Sequence, residues 1–292
     1  MRSRFSFFKK YSLFTIIFTL ITIFWGAWVR LSFSGDGCGK SWPLCENKIF
    51  PENIMAFIEW LHRLSSGLSF IFIFILFLLS IKFYSKGHGV RKFSGISFVL
   101  VCIEALIGAI LVLSGLVSDN TEKIRVLVLA VHSVNSLLLV GSLSLSYKMS
   151  LWENRNAKLN DGLRFKKPLI YFLYLFPLLA LTGNIASLAG QLFPSESLSS
   201  ALALDLLPSA HTSLKIRPFH PLLAIAFLLG LCVFSYFKKY LIVPTLAVFG
   251  VVLFGFFTLF FLSPLWMKIA HLILAYCLWI FLIAFSVERV KV

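Results

Sequence analysis

Acidic side chains are scarce in this chain of 292 residues: 12 Asp and Glu stand against 27 Lys and Arg, and charged residues reach only 13%. A soluble globular domain carries about 25% charged residues. Here 59% of residues are hydrophobic and the mean hydropathy is +0.91, so a water-facing surface is excluded and a polytopic membrane protein is indicated. A small-residue cleavage site is also missing after the first apolar run, which is itself long enough to span. No cleavable signal peptide is therefore expected. The net charge of +15 does not mark a nucleic-acid binder, because Lys and Arg fall between apolar runs and mostly in alternate loops. That is an orientation signal. The 32 phenylalanines suit lipid-facing helices and say nothing about chemistry.

What is present is a succession of apolar runs. A bilayer needs roughly 20 apolar residues per helix, and eight runs qualify, near 11–31, 54–82, 94–117, 124–147, 168–190, 216–237, 240–262 and 264–287. Only Lys238–Lys239 and Ser263–Pro264 separate the last three. Pro264 reads as the first helical residue after an N-cap at Ser263. Two thirds of the Lys and Arg side chains gather at 2–10, 82–92, 148–167 (with Arg155 and Lys158), 238–239 and 289–291 (ending at Lys291); the outer remainder includes Lys48. Both termini are thus expected in the cytoplasm, with the loops at 32–53, 118–123, 191–215 and 263 facing outward.

The expected fold is all-α: eight transmembrane helices as two pseudo-symmetric four-helix bundles, 1–147 and 168–292, joined by a cytoplasmic linker at 148–167. Each half opens with a helix and a long outer loop. Each then places one histidine early in its second and fourth helices: His62 and His132, then His220 and His271. With both halves starting inside, this is a parallel repeat. All four histidines lie about two turns, on the order of 10 Å, below the outer surface, although Pro218 and Pro221 delay the regular helix around His220. A single buried histidine is commonly a hydrogen-bonded core residue; four at one depth in matching positions weaken that reading. His88 and His211 fall in loops and are assigned no role.

Two imidazoles facing each other across a helix bundle suit haem iron, whereas zinc wants four close ligands. Two halves imply two haem-sized sites. Arg63, Arg125 and Arg217 sit near the outer level and could pair with haem propionates, or serve only as snorkelling interfacial anchors. Glu59 shares a helix face with His62 and Arg63, and an ionisable cluster at that depth marks a functional site. Glu104, near mid-membrane, either moves protons or pairs with Ser, Thr or Asn of a neighbouring helix. Cys102, Cys232 and Cys277 read as small hydrophobes.

The stretch from Val29, VRLSFSGDGCGKSWPLC, followed by Pro51 and EWLHR, resembles the first outer loop and second helix of the haem A synthase family. The resemblance rests on Val29-Arg30-Leu31, Ser34-Gly35, Cys38, Trp42-Pro43-Leu44-Cys45, and Glu59 with His62-Arg63. It continues through Leu106-Ile107-Gly108-Ala109, Gly115-Leu116 and His132 with Asn135, and more loosely through Leu192-Phe193-Pro194 and Arg217 with His220-Pro221. It implies a bacterial cytoplasmic-membrane enzyme that oxidises the C8 methyl group of haem O to a formyl group, giving haem A for terminal oxidases. His62 and His132 would hold the substrate haem, and His220 and His271 a resident haem b. Glu59 would be the carboxylate needed for turnover, and Cys38–Cys45 a redox-active or structural disulfide. Haem O synthase and the oxidase assembly machinery are the implied partners, and association of protomers stays open. The loop between Cys38 and Cys45 is short enough to close, and the outer face is the oxidising side. One departure is that segment 191–215 lacks the second cysteine pair many bacterial relatives carry, which argues against an electron relay through two disulfides.

Two other functions compete. A bis-histidine cytochrome that only passes electrons has the same ligands but no need of Glu59. A transporter built as a repeat would show broken mid-membrane helices in equivalent places, and the sequence shows none.

Overall fold

The computed structural model describes residues 2–43, 45, 50–51, 53–118, 120–152 and 163–289. Leu44, Lys48, Arg155, Lys158, Lys291 and the middle of the 148–167 linker lie outside the described residues. Within them the protein is an all-α polytopic membrane protein with eight helices long and apolar enough to cross a bilayer. Seven coincide with single helices: α1 (Arg2–Leu31), α2 (Ile54–Phe83), α3 (Gly89–Leu113), α4 (Lys123–Ser150), α5 (Lys167–Leu192), α9 (Ile242–Phe260) and α10 (Leu265–Ser286). The remaining span is built from α7 (Thr212–Ile216) and α8 (Phe219–Phe237), and α6 (Leu198–Leu206) precedes it in the outer segment.

The departures from the expected boundaries have local causes. α3 starts at Gly89 rather than 94 because His88 caps it, its Nδ1 accepting the Val90 N–H at 3.1 Å. His211 does the same for α7, accepting from the Ser213 N–H at 3.2 Å. The break between α7 and α8 falls at Arg217–Pro218, where proline has no N–H to continue the ladder. Segment 191–215 is not all loop, since Ser197 and Ser200 form a reciprocal capping box that starts α6. Ser263 is not an N-cap: its φ is +56°, and the Pro264 carbonyl accepts the first helical bond, from the Lys268 N–H at 3.1 Å. Pro264 is therefore the cap and Leu265 the first helical residue. Two short strands were not expected at all. β1 (Leu163–Phe165) pairs antiparallel with β2 (Val287–Arg289).

The chain forms two compact units, one of Met1–Ser118, Asn135–Lys166 and Ile283–Val292, the other of Asp119–Val134 and Lys167–Leu282. In the first unit helices are joined by small polar side chains. Thr22 bonds Ser69 at 3.0 Å between α1 and α2, and the Trp25 Nε1–H reaches the Ile58 carbonyl at 3.0 Å. Between α3 and α4, Ser97 meets Ser142 at 2.7 Å and Ser94 meets Ser146 at 2.8 Å. Such interhelical bonds average about 0.6 kcal/mol in a bilayer, and the small side chains also let the backbones approach. The second unit relies more on rings. Phe172 packs edge-on against Phe227 with centroids 5.0 Å apart, and Phe176 stacks on Trp279 at 5.0 Å. Val126 and Ala130 bury against Ile185 and Leu188 in the same unit.

Candidate functional site

In the second unit, the α7–α8 break puts His220 in the first turn of α8, and α10 carries His271 in its second turn. Their rings face each other with centroids 6.3 Å apart and planes at 81°. A metal–imidazole bond is about 2.0 Å and a ring nitrogen lies about 1.2 Å from its centroid, so two imidazoles on opposite sides of one metal have centroids about 6.4 Å apart. The observed spacing suits one metal ion between the rings. Among the described residues no group of three or more His, Cys, Asp or Glu side chains is placed to hold a metal. Two nitrogens alone fit a metal whose other positions are filled by a macrocycle.

Each ring is held from behind. His220 lies against Gly183 of α5, and its Nδ1 is 3.4 Å from the Thr182 hydroxyl. His271 lies against Gly255 of α9, with the neighbouring Phe254 ring nearly parallel to it, 6.3 Å away. Just before α8, Arg217 makes a two-pronged ion pair with Asp205 of α6, Nε to Oδ2 at 3.0 Å and Nη2 to Oδ1 at 2.8 Å, and also donates to the Ala201 carbonyl at 2.7 Å. Arg125 is buried, with Nη1 on the Asn120 carbonyl at 2.5 Å.

In the first unit, His62 of α2 lies against Gly26 of α1. One turn earlier, Glu59 is only 3% exposed. Its Oε1 accepts from Arg63 Nη2 at 2.5 Å and Nε at 3.1 Å, and its Oε2 accepts the Cys38 N–H at 2.8 Å. Arg63 Nη1 also donates to the Ser41 carbonyl at 2.5 Å. Cys38 and Cys45 form a disulfide with Cα atoms 4.7 Å apart, and both bury against Ala56 and Trp60. The loop comes this close only because residue 37 is glycine: a Cβ there would stand 2.5 Å from the Ala56 nitrogen. Glu59 thus holds two things at once, the arginine on its own helix and the disulfide loop above it.

Glu104 on α3 accepts hydrogen bonds from the Asn135 amide and the Ser136 hydroxyl of α4. His132 is half-buried on α4, within the segment that belongs to the second unit, whereas His62 belongs to the first. The sequence reading missed Gly26, Gly183, Gly255, Thr182 and Asp205. The available signal was the near-equal separation of Gly26 from His62 and of Gly183 from His220.

The fold and these side chains define a class: a multi-pass helical membrane protein with paired imidazoles set between its spans. Residues 52–283 match the profile of a family described as cytochrome oxidase assembly protein. The chain belongs to that family, the haem A synthase family. A "Heme A synthase" of Bacillus cereus is 36% identical over 141 residues, 48% of this chain and 43% of that protein. One from Bacillus anthracis gives the same figures. A "Protoheme IX farnesyltransferase" of Thermus thermophilus is 32% identical over 291 residues, 94% of this chain and 47% of that protein. The chain spans about half the length of the curated relatives it matches.

Proposed function

We propose that this protein oxidises the C8 methyl group of haem O to a formyl group through successive hydroxylations. The observation that carries the reading is the facing His220–His271 pair, spaced for a metal held on both sides, in a chain of this family. His220 and His271 would hold a resident haem b, which supplies electron transfer when bound. His62 and His132 would hold the substrate haem, as the family resemblance implies. Glu59 is the carboxylate nearest in sequence to the His62 ligand, one helical turn before it. It would stabilise charge or accept a proton as the methyl carbon is oxidised, while Arg63 and the Cys38 N–H fix its two oxygens. Arg63, Arg125 and Arg217 remain the propionate-pairing candidates. The bias of basic residues toward alternate loops supports an orientation with both termini in the cytoplasm of a bacterial cell and the disulfide on the oxidising side. Haem O synthase and the oxidase assembly machinery are the expected partners.

The transferase name of the Thermus relatives supports a second reading, because they match nearly all of this chain. Since the match covers 47% of those proteins, we assign that name to the part this chain does not cover. Extracting haems from membranes that contain the protein separates the readings. With haem O supplied, haem A should accumulate. Conversion of haem B to haem O instead would establish prenyl transfer, and no change in any haem would leave an electron-carrying cytochrome.

A further inference from the structure

We propose that Gly183 and Gly255 are seats that aim the facing imidazoles, that Thr182 fixes the tautomer of His220, and that Gly26 seats His62 in the same way. These are positioning residues, and the proposal rests on the haem-ligand reading given above.

Glycine in the interior of a spanning helix needs a reason, because alanine is the better helix former and leaves less backbone entropy to lose. The reason here is space. A Cβ on Gly183 would stand 2.8 Å from Cε1 of His220, 3.1 Å from Nδ1 and 3.3 Å from Nε2. On Gly255 it would stand 3.0 Å from Cε1 of His271, and on Gly26 only 2.6 Å from Cε1 of His62. In all three cases the closest ring atom is Cε1, the carbon between the two nitrogens. The backbone of the neighbouring helix therefore stops the same edge of each ring. Three other helical glycines are open, since a Cβ on Gly67, Gly108 or Gly250 meets nothing within 4 Å, while Gly95 and Gly230 seat phenylalanine rings at 3.3 and 3.2 Å. Gly250 and Gly255 share α9, so the crowding belongs to the histidine contact and not to the helix.

The hydrogen bonds of Thr182 complete the argument. Its hydroxyl is 3.1 Å from both the Leu178 and Leu179 carbonyls, which can only accept. The single hydroxyl proton is thus directed at the backbone, and the contact with His220 Nδ1 is one in which the threonine oxygen accepts. A protonated Nδ1 leaves the lone pair on Nε2, the nitrogen free to bind metal, and this outer contact sets both ring orientation and ligand basicity. The order is repeated in the first unit, where a glycine of the opening helix again backs the histidine of the next span.

An added methyl at Gly183 must displace the ring by about half an ångström or more, which is the tolerance of a ligand constellation. In the purified full-length protein, Gly183→Ala and Gly255→Ala should each lose the low-spin bis-histidine signature in electron paramagnetic resonance and optical spectra. A high-spin, carbon-monoxide-binding haem should replace it. Gly250→Ala, with the same chemistry on the same helix as Gly255, should keep the wild-type spectrum, and Gly67→Ala should do so as well. Thr182→Val, which keeps the shape, should shift the low-spin resonances, and Thr182→Ser should restore them. Wild-type spectra in both Gly183→Ala and Gly255→Ala, with haem in place, would overturn the seats and leave the ligands standing. A wild-type protein whose haem survives His220→Ala and His271→Ala unchanged would overturn the ligand reading and the seats with it.

Discussion

Replacing Glu59 by Gln keeps the side-chain shape and removes one charge from a cluster whose geometry is defined. The carboxylate accepts three hydrogen bonds, two from Arg63 and one from the Cys38 N–H, with the Glu59 and Arg63 side chains 4% and 11% exposed. Glutamine has one acceptor oxygen, so its NH2 must face either the guanidinium or the Cys38 N–H, donor against donor. Breaking a buried pair by removing one partner costs about 3–5 kcal/mol, because the other charge is left uncompensated. The pair is rimmed by the outer loop rather than fully enclosed, so the lower end applies. About 3 kcal/mol corresponds to roughly a hundredfold change in an equilibrium, at about 1.36 kcal/mol per factor of ten. That change should appear where the carboxylate meets the loop. Cys38–Cys45 in Glu59→Gln should be reduced and alkylated on the order of a hundred times faster than in wild type by a membrane-impermeant reductant and maleimide. Wild-type kinetics would refute the idea that Glu59 straps the loop.

The same variant tests catalysis through a separate readout. Positioned acid–base help contributes about 10² to 10⁴ in rate. Glu59→Gln should therefore retain haem b and accumulate haem O or a partly oxidised intermediate. Restoring loop closure without restoring haem A, for instance by assaying under fully oxidising conditions, would assign the loss to the carboxylate. Wild-type haem A yields from Glu59→Gln would rule the catalytic role out.

Other predictions follow from the same geometry. His220→Ala or His271→Ala should each abolish the low-spin haem spectrum of the purified protein, whereas His62→Ala should leave it; an unchanged spectrum in the first two places the cofactor elsewhere. Mass spectrometry without reductant should find Cys38 linked to Cys45 in the isolated protein, and two alkylatable thiols would count against the pairing. A reporter fused after Val292 should be active only in a cytoplasm-reading format, and outer-side activity would reverse the orientation. Asp205→Asn should raise the protease sensitivity of segment 198–217 by about tenfold or more, since it strips a partly buried arginine of its counter-charge; unchanged digestion would show that α6 needs no such anchor.

The parts of this molecule that were legible from sequence are those written in local pattern. Eight apolar runs became eight spanning helices because the bilayer requirement acts on each run separately. The Glu59–Arg63 contact followed from helical spacing alone. What failed to read were contacts made across the chain. Nothing near Cys38 says that its N–H will meet a carboxylate on the following helix, and a lone glycine at 26, 183 or 255 looks like any other. α6 was hidden between Pro194 and Pro208 in a short, serine-rich segment whose start depends on a side-chain capping box. The β1–β2 ribbon joins triplets far apart in sequence, and three-residue strands carry no periodicity to detect. Glu104 stood between these cases, since its mid-helix position in an apolar run was evident but its partners, Asn135 and Ser136, required the α3–α4 register.

The missing second cysteine pair has a structural counterpart in the outer segment of the second unit. In the first unit the outer loop is fastened to the histidine-bearing helix twice, by the disulfide packed on Ala56 and by the Cys38 N–H on Glu59. Segment 191–215 has no cysteine, yet it is fastened too. Asp205, on a helix with its own cap, takes both prongs of Arg217, and that arginine lies three residues before His220. The fastening therefore uses an ion pair of buried partners, with side chains 14% and 4% exposed, in place of a covalent bond. Such a pair cannot carry electrons, and it does not respond to a reductant. If the outer loops served the chemistry through thiol exchange, the second unit would have no means of taking part. If they serve to hold the helix that presents each histidine, both units are equipped. The second account covers both loops with one physical role, and it leaves redox activity of Cys38–Cys45 as a property the first unit alone could possess. Reducing the disulfide in intact protein should then loosen the His62 side and leave the His220–His271 haem spectrum untouched. Loss of that spectrum on reduction of the disulfide would show that the two fastenings are not independent.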